Sequence, residues 1–189
     1  MLGRSVELPV PAGYCLMESH TADEAISARN VAVTSRTGQK VLQYSVPCDD
    51  RALYRAGKLK SYASYALVVL VGRNGEWKID PRSREEVLSA LSKETMDLAS
   101  INKQLAIRAD SIGAVELQSN QILGRDANAV YWALLGKKQG KVQVSVISAA
   151  VPFKQLPVLV AFYAPPETID PEATARRLAV YAADVIAKN

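Results

Sequence analysis

Lys141-Val142-Gln143-Val144-Ser145-Val146 decides the fold. Apolar and polar residues alternate one for one, the period of a half-buried strand. Residues 115–123, 128–136, 140–151 and 156–163 read as four strands. The turns between them are Gly124-Arg125-Asp126, Gly136-Lys137-Lys138-Gln139-Gly140 and Pro152-Phe153-Lys154. Short polar turns join antiparallel neighbours, whereas a parallel crossover needs about a dozen residues or more. Pro165-Pro166 then breaks the sheet, and Asp170-Pro171-Glu172 opens a last helix with proline where its missing N–H costs nothing. Thr174, Leu178, Tyr181, Ala182 and Val185 fall on one face of that helix.

Upstream the period is mixed. Val6, Leu8 and Val10 alternate like a strand, which Pro9 and Pro11 confine to an edge. Thr21-Ala22-Asp23-Glu24 is a capping box that opens a helix over 21–37, closed by Gly38. Lys40 to Val46 reads as a strand, and Asp49 or Asp50 can cap a short helix through Tyr54 to Gly57. Tyr62 to Val71 reads as a buried strand. Asn74-Gly75 signals a hairpin, with Trp77-Lys78-Ile79 returning along the partner strand. Ser83-Arg84-Glu85-Glu86 is a second capping box, with Val87, Leu88 and Leu91 on one face of its helix. A further helix runs from about Asp97, with Leu98, Ile101, Leu105 and Ile112 at helical spacing and Gly113 at its end. The sequence thus predicts one α+β domain over 1–189: a single antiparallel sheet with helices packed on it and a C-terminal helix.

The chain has 189 residues, 49% of them hydrophobic, enough for a sizeable core. Its net charge is +4, with basic and acidic residues interspersed, where a nucleic-acid binder shows a denser basic stripe. No apolar run reaches the ~18 residues that span a bilayer. Cys15 and Cys48 are the two cysteines, and they read best as one structural disulfide formed in an oxidising compartment. The alternatives are free structural thiols, or reactive or metal-bound ones. A redox pair would want C-x-x-C, and zinc would need carboxylates beside the single histidine, His20. Met1-Leu2-Gly3-Arg4 leads directly into strand-like sequence, so export implies a signal already removed. The competing reading is a cytosolic start with two free thiols.

Candidate chemistry is sparse. His20 precedes the Thr21 cap and reads as a loop residue. Asp49-Asp50 and Glu85-Glu86 sit where helices begin, where the helix dipole favours carboxylates. No nucleotide-cradling or nucleophile motif occurs, and no cofactor or metal is implied. Arg51, Arg55, Lys58 and Lys60 form the densest basic cluster: a solvated face, or a docking patch for an anionic protein partner or lipid headgroup. Eight tyrosines and two tryptophans against two phenylalanines suit half-wet positions, and Tyr54, Tyr62 and Tyr65 cluster near the basic segment.

Leu8-Pro9-Val10-Pro11-Ala12-Gly13-Tyr14-Cys15, followed by Pro47-Cys48, resembles small exported bacterial proteins. The C-terminal meander, ending in Ala161-Phe162-Tyr163-Ala164-Pro165 before a last helix, resembles the PsbP-like α/β/α sandwich. That resemblance implies an accessory, assembly or chaperone-type factor, and it carries over no site residue. The expectation is a non-enzymatic periplasmic or secreted accessory or binding protein acting through a protein or ligand surface. Its alternatives are a hydrolase-type enzyme with a site assembled from distant residues, and a cytosolic chaperone or adaptor with a hydrophobic groove.

Overall fold

The structure, a computed structural model, describes residues 7–18, 39–71, 79–93, 98–99, 102, 115–138, 141–153 and 155–189. In chain order its elements are β1 (Tyr14–Leu16), β2 (Lys40–Pro47), α1 (Cys48–Arg55), β3 (Tyr65–Leu70), α2 (Arg84–Lys93), β4 (Val115–Arg125), β5 (Val130–Lys138), β6 (Lys141–Phe153), β7 (Leu156–Ala164) and α3 (Pro171–Ala187). A 3-10 turn over Pro166–Thr168 links β7 to α3. The strands form one sheet in the order β1-β2-β3-β7-β6-β5-β4, antiparallel at every step. The fold is α+β, with a single antiparallel sheet and a C-terminal helix, as its alternation and short turns predict.

All four C-terminal strands form, each within a few residues of its expected bounds. The β6–β7 turn sits later than expected, since Phe153 and Leu156 still pair. The β4–β5 turn is also displaced. β4 runs through Arg125, and Asp126 closes the turn by accepting from the N–H groups of Asn128 (2.7 Å) and Ala129 (2.9 Å). Burial pushes the Asp126 carboxyl up, but the Tyr131 hydroxyl and the two N–H groups together hold it below its ordinary range.

The expected strand at Val6–Val10 is corrected for its described part. Glu7 to Val10 lie outside the sheet, because Pro9 and Pro11 have no N–H to give a ladder. The segment is tied to the other chain end instead. Glu7 N donates to Asn189 Oδ1, and Asn189 Nδ2 donates to the Glu7 carbonyl, both at 2.8 Å. β1 forms further on, after Gly13 at φ +79°. The short helix α1 is also capped differently: Pro47 is its N-cap, no side chain caps it, and Asp49 and Asp50 lie inside its first turn. At Ser83 the expected box is complete, with Glu86 N donating to Ser83 Oγ and Ser83 N to Glu86 Oε2. Asp170 caps α3 by accepting from Ala173 N at 3.0 Å. Ile79 is described and lies outside any strand, and Leu98, Ala99 and Asn102 are helical. The expected helix over 21–37, the Asn74-Gly75 hairpin and the rest of the helix from Asp97 lie outside the described residues.

The two faces follow from strand alternation. Ala66, Val68, Ile147, Ala149, Val160 and Phe162 point to one face, where Leu178, Tyr181, Ala182 and Val185 of α3 close over them in one core. Among the described residues the opposite face carries two clusters. Met17, Tyr44, Val46, Leu67 and Val69 form one near β2 and β3. Leu88 of α2 joins Val130 and Trp132 in the other. Tyr131 and Val146 are buried as the meander requires, on opposite faces, while Leu159 is half-buried. The side chain of Val144 lies outside the described residues.

Candidate functional site

Cys15 and Cys48 are bonded, with Cα atoms 4.9 Å apart. Strand pairing creates this proximity. Tyr14 faces Pro47 across the β1–β2 ladder, so Cys48 arrives one step beyond it, and its N–H donates to the Gly13 carbonyl at 3.1 Å. The bond fixes the edge strand β1 to the first residue of α1. Among the described residues no helix is long and apolar enough to cross a membrane.

The basic segment divides. Arg51 and Arg55 lie one turn apart on α1, and both reach the Glu18 carboxylate, at 3.2 and 3.8 Å. The Arg51 side chain is only 13% exposed, so it pins α1 to the strand-end loop rather than standing in solvent. Lys58 and Lys60 are exposed beyond the helix. Of the neighbouring tyrosines, Tyr54 packs against Tyr62 at 5.0 Å, while Tyr65 turns away to stack on Tyr163 at 4.5 Å. Burial among these rings raises the Tyr65 hydroxyl far above its ordinary pKa, which suits a packed boundary rather than proton transfer.

Glu85 and Glu86 do not act as a pair. Glu85 turns to Arg125, and Glu86 closes the Ser83 box, whose hydrogen bonds hold its carboxyl below the usual range. Among the described residues no group of acidic, histidine or cysteine side chains could hold a metal ion. His20 lies outside the described residues.

A cleft of about 240 Å³ opens between α2 and the β6–β7 hairpin. Val87 and Leu91 form its helix wall, and Ala150, Pro152 and Leu156 form the sheet side. Asp80, Arg82, Arg84 and Gln155 line its polar side. Three local features shape it. The Asp80 N–H donates to the Gln155 carbonyl at 2.9 Å, strapping the segment before α2 onto the hairpin tip. Gln155 holds φ at +65°, a left-handed conformation disfavoured by its side chain. Asp80 receives Arg82 in a two-pronged ion pair, 2.9 Å from Nε and 2.6 Å from Nη2, which lowers its pKa. Its carboxylate therefore stays ionised and occupied, a poor general base.

Sequence reading found the cap at Ser83 and the turn near Lys154 but did not join them. They lie more than sixty residues apart, and only the β3-β7-β6 order brings the segment before α2 beside the hairpin tip. The local signal was Asp80-Pro81-Arg82, a turn-forming segment just ahead of the Ser83 capping box.

No protein-family model, curated protein or solved structure matches the chain.

Proposed function

We propose that this chain is an exported, disulfide-bonded accessory protein that works by binding rather than by catalysis, with the α2–hairpin cleft as its site. The observation that carries this reading is the cleft's division of labour: an apolar wall and floor under a polar side whose one carboxylate, Asp80, is already held by Arg82. Binding sites combine largely apolar linings with a few fixed polar groups, whereas acid–base catalysis needs a proton-accepting group free to turn over. The strained Gln155 on the same rim supports the assignment, because backbone strain concentrates where function maintains it. The Cys15–Cys48 bond supports export, since such bonds persist in oxidising compartments. The resemblance to PsbP-like accessory factors points the same way. Arg55, Lys58 and Lys60 remain a second candidate surface, for an anionic protein or lipid headgroup.

A ligand-set thermal-shift screen tests the binding reading, because anything that binds the folded state alone raises its melting temperature. Compounds that stabilise the wild type but not Ala150→Leu, which fills the cleft floor, support it. Equal stabilisation of both proteins, or of neither, contradicts it. Thiol trapping in intact cells tests export: Cys15 and Cys48 should resist alkylation until reduced, and rapid labelling without reductant would refute it.

A further inference from the structure

The cleft's charges suggest what it takes. Of its two arginines, Arg82 is committed to Asp80. Arg84, the first residue of α2, is exposed on the same rim and forms no ion pair among the described residues. The acidic side chains of its own turn are engaged elsewhere, Glu85 with Arg125 and Glu86 with the Ser83 N–H and hydroxyl. A guanidinium with no carboxylate partner among the described residues thus stands beside an apolar surface made by Val87, Leu91 and Ala150. The volume, about 240 Å³, falls below the ~300 Å³ at which sites for drug-sized ligands begin. The occupant is therefore one apolar group with a short polar end.

Resting on the binding reading above, we infer that the α2–hairpin cleft takes a small apolar carboxylate, its hydrocarbon on Val87, Leu91 and Ala150 and its carboxylate on Arg84. A free acid and the C-terminal residue of a polypeptide present the same chemistry. Arginine is suited to the role because its planar donors match both carboxylate oxygens. The site faces solvent, so the attraction should weaken as salt screens it.

The chain supplies its own reporter. Leu91 and Ala150 line the cleft and also pack in the cluster that holds Trp132, which is 3% exposed. Trp77→Phe leaves Trp132 the sole tryptophan. In that background we would titrate phenylacetate, its neutral analogue phenylacetamide, and acetyl-glycyl-phenylalanine as free acid and as amide. The inference predicts a saturable change in Trp132 emission with the carboxylates, weaker by about tenfold for the matching amides, the worth of one charge-assisted hydrogen bond. Arg84→Gln should erase that difference without affecting the amides, and added salt should weaken only the carboxylates. Response to phenylacetate alone assigns the site to free acids, and response to the peptide acid assigns it to chain ends. Equal binding of acids and amides, both lost in Ala150→Leu, overturns the carboxylate but leaves the binding cleft standing. No saturable response from any of the four overturns the inference, and the ligand-set screen then decides the cleft separately. Val87→Phe, which fills the cleft from the helix side, replaces Ala150→Leu if that variant fails to fold.

Discussion

One face of the sheet lies under α3, which buries five of its side chains: Thr174, Leu178, Tyr181, Ala182 and Val185. The other meets α2, whose one buried residue is Leu88. The same strands build both faces, so the helices make the difference. A single helix shorter than ~12–15 residues is marginal in water and depends on its packed face. α3 has an extensive packed face, and its end is further tied to the N-terminal segment through Asn189 and Lys188. Among the described residues α2 is held by buried Leu88 with half-buried Leu91 beside it, a capping box and the Glu85–Arg125 ion pair. The comparison assigns stability to the α3 face and adaptability to the α2 flank, and the cleft lies on the flank.

The largest expected effect comes from the α3 face. Leu178 is fully buried, and Leu178→Ala should cost about 3–5 kcal/mol, the upper part of the range for such truncations in rigid surroundings. Leu88→Ala, equally buried, should cost only about 2–3 kcal/mol, because a short helix with one buried and one half-buried leucine in its cluster can settle into the space. Paired urea melts check this, and equal losses would break the comparison.

Removing the disulfide ranks next. Cys15→Ser with Cys48→Ser should cost about 3–4 kcal/mol, mainly by freeing the unfolded chain. A much smaller loss would mean that β1 and α1 are held by pairing alone.

The β4–β5 turn supplies a smaller, pH-dependent effect. Asp126 is depressed in the folded protein, so its stabilisation is present above the unfolded carboxyl value of 3.8 and is lost as pH falls through the folded value. Asp126→Asn should therefore cost about 1 kcal/mol at neutral pH, with the gap to wild type closing in acid. A gap that stays constant into acid would rule out the carboxylate as its source.

The basic segment gives the smallest effects and separates two kinds of charge. Arg51→Ala should cost about 1 kcal/mol, since it strips a half-buried partner from Glu18. Lys58→Ala and Lys60→Ala should change stability by less than ~0.5 kcal/mol. Charge reversal at Arg51 would set two carboxylates against each other and lower the melting temperature. Were the segment a solvated face, Arg51 and Arg55 reversed together to Glu would leave the melting temperature nearly unchanged.

Much of the fold was legible because it rests on local rules. Alternation revealed β6, short turns imposed antiparallel pairing, and Asp170-Pro171 located the start of α3 to the residue. The N-terminal strand was misread because period-2 alternation at Val6-Leu8-Val10 ignores the missing N–H groups of Pro9 and Pro11. Arg51 was misread because its partner, Glu18, comes from a distant segment brought close by β1–β2 pairing. The cleft was illegible for the same reason. Its parts follow local rules, but their meeting depends on β3 lying beside β7, a pairing that no turn encodes.

Native-state hydrogen exchange compares the two faces most directly, because it reports opening free energies element by element. The amides of Tyr181, Ala182 and Val185 in α3 should exchange only through global unfolding, with strong urea dependence. Those of Val87 and Leu88 in α2 should exchange through a smaller opening that urea barely affects and that Leu178→Ala leaves unchanged. If α2 and α3 instead share one opening free energy and one urea dependence, the sheet has a single cooperative core, and the division between a stabilising face and an adaptable one is wrong.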